Sequence, residues 1–221
     1  MDTVTETTTK TPFVPAILAP AGNRQAFLAA LAAGADAIYC GLKQYSARMT
    51  AKNFTIETLK PLADLAHDRS VEVYIALNSL LKPDDLNRTL AIIGQLQRII
   101  RPDALIVQDL ALVALARQAG FSGQLHFSTL ANVGFPSALA PVDNPLGIHR
   151  VVIPRELNID EIKQMATACP PEFDLEIFIH GALCYAVSGR CYWSSFLGGK
   201  SGLRGRCVQP CRRLFTQKSQ R

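Results

Sequence analysis

The sequence predicts an α/β protein: a TIM-like (β/α) barrel, incomplete at about seven strands, followed by a Cys-rich, Gly- and Arg-rich C-terminal segment. Two observations carry this. Short apolar runs alternate with longer amphipathic ones through most of the 221 residues, which is the rhythm of repeated βα units. Several of the short runs are apolar on both faces, as buried parallel strands are. An open doubly wound sheet is the alternative arrangement of the same units.

The first ten residues, MDTVTETTTK, are polar and lack the basic start and apolar stretch of a targeting peptide, so residues 1–13 read as a flexible tail. Strands are expected at AILAPA (16–21), AIYCG (37–41), VEVYIALN (71–78), ALIVQD (104–109), LHFST (125–129), RVVIP (150–154) and DLEIFIHG (174–181). Helical spacing marks residues 23–35, 55–68, 83–100, 110–120 and 158–168, with Asp84 and Asn158 as starts and Gly34 and Gly120 as stops. The barrel domain therefore spans 14–181. Residues 182–221 form the Cys-rich basic segment and hold no β-branched run for an eighth strand.

Composition narrows the function. No uncharged apolar run approaches the ~18 residues of a membrane span, and a cytoplasmic protein is expected. The net charge of +5 hides an asymmetry: from residue 182 onward there are eight basic residues and no Asp or Glu, which leaves residues 1–181 at net −3. Such a stretch is either a solvated tail or a surface for phosphates, whether of RNA or of a small anion.

Polar residues cluster where the predicted strands end, the positions that converge on one mouth in a barrel. Asn78, Asp109, Arg155, Glu156 and His180 are placed there, and His126 on the fifth strand close by. Of the four histidines, His126 and His180 are the two near the mouth. Glu176, Phe178 and His180 alternate along the seventh strand and are expected to share a face. Arg155 or His180 is the expected partner of Glu176, because an unpaired buried carboxylate is costly. No H-E-x-x-H, G-x-S-x-G or Walker A motif is present.

The chemistry concentrates in four cysteines, Cys184, Cys191, Cys207 and Cys211, spaced C-x6-C, C-x15-C and C-x3-C. In a reducing compartment such a cluster points to metal or catalysis more than to disulfides. Zinc ribbons present two short knuckles, and only the last pair comes near that form. Iron-sulfur clusters use four thiolates with freer spacing, so iron-sulfur, zinc and redox or structural thiols all remain open on spacing alone. Cys40 and Cys169 read as inert thiols, with Cys40 held as a reserve ligand because it ends a strand toward the mouth.

The stretch EIFIHGALCYAVSGRCYWS (176–194) resembles the signature of peptidase family U-32, the collagenase-like family, with Trp193 in place of an aliphatic residue. Further likeness in LAPAGNRQAFLAALAAGADAIYCGLKQYSAR, DALIVQDLAL, RVVIPREL and GLRGRCVQPCRR extends it over residues 16–213. The resemblance implies a barrel, and two activities: a collagenase-type protease, or, for members with R-G-x-C-x-x-x-C, oxygen-independent hydroxylation of a pyrimidine in ribosomal or transfer RNA. For the hydroxylating members it implies a 4Fe-4S cluster on residues matching Cys184, Cys191, Cys207 and Cys211, and prephenate as a small anionic co-substrate. Leu203 stands where an Asn is common in the RNA-modifying members. Family chains also continue into a remaining strand, so a partner chain completing the barrel, or a truncated scaffold without catalysis, is the third expectation. His126, Arg155, Glu156 and His180 are expected to handle substrate or protons, and Asn78, Asp109, Arg204 and Arg206 to bind substrate.

Overall fold

The computed structural model describes residues 14–46, 52–181, 184–214 and 216. The tail expected over residues 1–13 lies outside them. Seven parallel strands form one sheet in sequence order: β1 (Leu18–Ala21), β2 (Ala37–Gly41), β3 (Glu72–Leu77), β4 (Ala104–Val107), β5 (Gln124–Phe127), β6 (Arg150–Val152) and β7 (Asp174–Glu176). The sheet curls into a half-barrel. Six helices fill the crossovers: α1 (Arg24–Ala32), α2 (Ile56–His67), α3 (Leu86–Gln95), α4 (Leu110–Gln118), α5 (Leu139–Asp143) and α6 (Ile159–Thr167); α7 (Trp193–Gly198) follows the last strand. Among the described residues no helix is long and apolar enough to cross a membrane.

Local chemistry sets the helix ends. Asn23 accepts the Ala26 N–H at 2.9 Å to open α1, and Gly34, at φ +79°, follows its end. Thr55 with Thr58, and Asn158 with Glu161, form reciprocal capping boxes at α2 and α6. Gly120, at φ +68°, follows α4. Asp84 does not open its helix. Pro83 starts a 3₁₀ turn (Pro83–Asp85), and it is the Asp85 carboxylate that reaches back to the Lys82 N–H at 2.8 Å. The seventh strand stops at Glu176 instead of running to Gly181. Its partner β6 ends at Val152; after the Ile153 N–H donates to the Glu176 carbonyl, Pro154 has no N–H to continue the ladder.

Register divides the side chains into two faces. His126 pairs with Ile106 on one side and Arg150 on the other, and Arg150 pairs with Asp174. The odd set, including Val73, Ile75, Leu105, Val107, Phe127 and Val151, packs outward against the helices in the main core. The even set of β3 to β7, with the odd residues of β2 that pair with it, faces the half-barrel interior, where Ala37, Tyr74, Ala104 and Ile106 form a small apolar floor beside Tyr39. Cys40 belongs to the outer set. It is fully buried, and burial pushes its thiol up to about 12, so it is an inert core residue and not a reserve ligand at the mouth.

Removing a side chain from the outer core leaves a cavity that a rigid sheet cannot close. Leu105→Ala is expected to destabilise the fold by about 2–5 kcal/mol, whereas Ile99→Ala, at a residue 39% exposed, should change stability by less than about 0.5 kcal/mol; chemical denaturation of the two variants checks the contrast.

Candidate functional site

The C-terminal ends of the strands carry the mouth, and the cysteine segment is fastened across it. Asp109 ties the β3 and β4 ends together: Oδ1 caps α4 through the Ala111 N–H at 3.0 Å, while Oδ2 accepts the Leu81 N–H at 2.9 Å. The neighbouring Leu80 N–H donates to the Leu203 carbonyl at 3.0 Å, and Arg204 Nη2 reaches Asp85 Oδ2 at 3.4 Å. On the opposite side Glu156 accepts both the Ser188 N–H and, at 3.0 Å, its hydroxyl. The segment is therefore held at both flanks.

Gly189 makes the second attachment possible. Its φ is +71°, and a Cβ placed there would sit 2.0 Å from the Leu130 carbonyl oxygen. Only a glycine lets the Cys184–Cys191 loop lie this close to the turn after β5. Beyond Cys191, α7 packs against the turns Gly202–Arg204 and Pro210–Arg212, which flank Cys207 and contain Cys211. Ser194, almost fully buried, accepts the Val208 N–H at 3.2 Å and donates to Cys207 Sγ at 3.7 Å.

The four thiols share one neighbourhood. Burial raises the Cys184 thiol, and charge on Cys191, Cys211 and Cys207 raises it further, with Arg155 working in the other direction. Cys184 is nevertheless exposed at its surface, while the other three are partly buried. Among the described residues no three His, Cys, Asp or Glu side chains converge closely enough to hold a metal ion.

Arg155 lies over the Phe178 ring, its guanidinium carbon 3.7 Å from the centroid. Together with Ile153, Pro154, Ile179 and His180 they line a cavity of about 370 Å³ beside the ends of β6 and β7. His180 is exposed at its rim and Arg206 is exposed on the cysteine segment. Arg155, Glu156, His180 and the cysteines are thus gathered at the mouth. His126 is not among them.

His126 sits inside the half-barrel, fully buried, edge-on to Tyr74 at 4.9 Å and bonded through Nε2 to Gln124 Oε1 at 2.8 Å. Burial first, and then the Arg150 charge, depress its pKa to about 3. It stays neutral at physiological pH and serves as a hydrogen-bonding group, not a proton carrier. Asn78 donates to Ser128 Oγ at 3.2 Å, one layer nearer the mouth.

An interior polar network escaped the sequence reading. Arg150 donates to Asp174 at 2.8 Å and to the Tyr74 hydroxyl at 3.3 Å, and Tyr74 in turn donates to Glu72. Glu176 faces Arg150 Nη1 at 3.9 Å, not Arg155 or His180 as expected, because Arg155 lies beyond the strand end over Phe178. Burial outweighs that distant cation and raises Glu176 to about 7. Gln108 ends β4 on the interior side, 9% exposed. The period-2 series Ala104, Ile106, Gln108 and Gln124, His126, Ser128 was the signal that could have found these residues.

Two consequences are measurable. Gly189→Ala should lift the cysteine loop from Leu130 without unfolding the barrel, seen as faster amide hydrogen exchange over residues 184–191 with an unchanged far-ultraviolet dichroism spectrum. Glu176 is protonated in the fold at a pH where it is already ionised in the unfolded chain. Its contribution therefore favours the fold most below the ordinary carboxylate range and is lost as pH rises through about 7. Glu176→Gln should flatten the stability profile between pH 5 and pH 8, by up to about 3 kcal/mol, in denaturation series run across that range.

The sequence profile of peptidase family U32 matches residues 22–221. The chain is 38% identical to an uncharacterized protease of Methanocaldococcus jannaschii, over 90% of this chain and 48% of that one. It is 37% identical to tRNA hydroxylation protein P of Haemophilus influenzae, over 91% and 43%. With the 23S rRNA 5-hydroxycytidine C2501 synthase of Escherichia coli it shares 35% identity, over 91% and 30%. The chain thus spans less than half the length of these relatives. A solved U32 peptidase superposes with a TM-score of 0.63 over 76% of this chain and 70% of that one, at 16% identity, a likeness of fold. With its half-barrel and its cysteine segment docked across the mouth, the chain belongs to peptidase family U32.

Proposed function

We propose that this protein is an iron-sulfur member of its family that takes part in hydroxylating a pyrimidine of transfer or ribosomal RNA. The observation that carries the reading is the attachment of Cys184, Cys191, Cys207 and Cys211 over the mouth, close enough for each of the others to influence the Cys184 thiol. The names of the Haemophilus and Escherichia relatives point to RNA hydroxylation in the same family.

The donor set fits a 4Fe-4S cluster. It is four thiols with no carboxylate in the segment. Their sequence spacing, with one short pair only, is freer than the paired knuckles of a zinc ribbon and suits a cluster of several irons. Arg155 supplies compensating positive charge and Ser194 a hydrogen bond to the Cys207 sulfur. Bound there, the cluster would supply one-electron chemistry at the mouth.

The chain's own residues account for the other requirements. Replacing a ring C–H by C–OH inserts an oxygen atom and removes two electrons from the base. A small anionic co-substrate such as prephenate would give the oxygen and accept the two electrons. The cavity beside Arg155, Phe178 and His180 is where an anion of that kind meets positive charge. Arg206, Arg212 and Arg213 are exposed on the cysteine segment and available to RNA phosphates.

Anaerobically purified protein should contain iron and sulfide in equal proportion with a broad visible band, and Cys207→Ala should lose both. Zinc, or no metal, in the wild-type protein would sink the cluster assignment. Cleavage of gelatin that survives purification and is abolished by one substitution would put the protease activity of the family's name in its place.

A further inference from the structure

The cysteine segment carries an aromatic surface that the fold does not use. Among the described residues six aromatic side chains are exposed, and four of them, Tyr185, Tyr192, Trp193 and Phe196, fall within residues 185–196. Single exposed apolar residues are ordinary, but a concentration of large rings in one short stretch marks a contact surface. Tyr185 and Phe196 are each 88% exposed, so their ring faces are open to solvent. Among the described residues the ring pairs are Phe27 with Phe54 and Tyr74 with His126, and the guanidinium contacts are Arg150 on Tyr74 and Arg155 on Phe178. The four rings have neither kind of partner.

Local structure groups them. The buried side of α7, at Ser194, is spent on Cys207 and Val208. Tyr192 and Phe196 stand four residues apart, joined by the Phe196 N–H donating to the Tyr192 carbonyl at 2.9 Å, and helical spacing sets both on the side away from Ser194 with Trp193 next to them. Tyr185 directly follows Cys184 in the chain and Tyr192 directly follows Cys191, so the rings border the thiols. Around them Arg190, Lys200, Arg206, Arg212 and Arg213 are exposed, and residues 182–221 contain no Asp or Glu.

Rings set among cations, with no anion between, complement a partner that brings negative charge and flat faces together. An apolar protein surface would match the rings and leave the cations without a counterpart. A duplex would meet the cations with its phosphates, but its base faces are stacked on one another and offer the rings nothing. Unpaired RNA presents both. Resting on the reading of the protein as an RNA-pyrimidine hydroxylase, we infer that Tyr192, Trp193 and Phe196, with Tyr185 beside them, are a stacking platform for unpaired bases, and that the RNA partner is a single-stranded loop and not a helix. The basic residues hold its backbone, the rings hold its bases, and the loop lies across the cysteine segment.

The chain's one tryptophan is Trp193, so its fluorescence reports the contact directly. A short single-stranded RNA oligonucleotide added to the full chain should quench it. The same strand annealed to its complement, and inorganic polyphosphate, should bind through the cations at low salt without that quenching. Phe196→Ala removes an exposed ring and leaves the core alone; it should weaken the single strand on the order of tenfold and leave polyphosphate binding unchanged, while Phe196→Tyr, which keeps a ring, should retain the affinity. Equal quenching by the duplex, an unchanged affinity in Phe196→Ala, or no quenching by the single strand overturns the platform. A concentration-dependent dimer in sedimentation that Phe196→Ala dissolves also overturns it, and gives the rings to a second copy of the chain. Mass spectrometry of RNA from cells carrying each variant separates the two claims. Hydroxylated RNA at the wild-type level with Phe196→Ala overturns the platform and spares the hydroxylase reading. Quenching by single strands that depends on Phe196, with no RNA product from the wild-type protein, spares the platform and overturns the hydroxylase.

Discussion

A guanidinium buried inside the half-barrel at Arg150 governs what its neighbours can do. Burial works against its charge, but hydrogen bonds to Asp174 and Tyr74 outweigh that cost and hold its pKa above the ordinary value. Its neighbours titrate under burial first, with the guanidinium adding to or opposing that effect. His126 is pressed to its neutral form by burial and by Arg150. Tyr74, buried and bonded to Glu72, is kept as a phenol. Glu176 is too far from the guanidinium at 3.9 Å to be held ionised against its own burial. Burial thus keeps these three groups neutral, and Arg150 assists it only at His126, since its charge favours the ionised forms of Tyr74 and Glu176.

The mouth is organised on a different principle. Among the described residues no regular ladder carries the cysteine segment across it; the attachments are individual ones, Glu156 to Ser188, Leu80 to Leu203 and Gly189 against Leu130. Each comes from a different strand end, so the segment is referenced to the barrel at several points while its cysteines stay on turns and a short helix. Such an arrangement suits a bulky thiolate-bound group, because the turns can surround it while the barrel sets its distance from the interior. Glu156, expected from sequence as a proton-handling residue, spends its carboxylate on Ser188 in this structure.

The seven strands and their parallel order were legible because parallel strands buried on both sides leave a strong apolar signature, and the helix ends at Asn158, Gly34 and Gly120 because capping is local chemistry. Asp84 misled because two adjacent acids compete for one cap, and only backbone geometry decides that Asp85 turns back. Cys40 misled because its strand position was read without its face; its neighbour Ile38 on the same side lies in the outer core. Arg150 and Gln108 went unnoticed for the complementary reason. Each sits within or just past a strand whose apolar neighbours dominate the pattern, and the meaning of Arg150 depends on partners 24 and 76 residues away. The gathering of the cysteines was visible as spacing, but their anchoring by Glu156 and Gly189 required the tertiary structure.

Interior and mouth together give the half-barrel a polarity along its axis. Arginines and thiols lie at the strand ends, and neutral hydrogen-bonding groups lie one and two layers below them. For an anionic ligand this ordering has a physical consequence. The anion gains from Arg155 only near the mouth, where solvation by water still offsets the cost of its charge, and it gains nothing by descending to Gln108 and His126. Arg206, Arg212 and Arg213 are exposed on the cysteine segment, where a charged partner likewise keeps part of its water. Desolvation alone therefore sets where negative charge can be received, at the mouth on the side where the cysteine segment closes over it and not in the interior below.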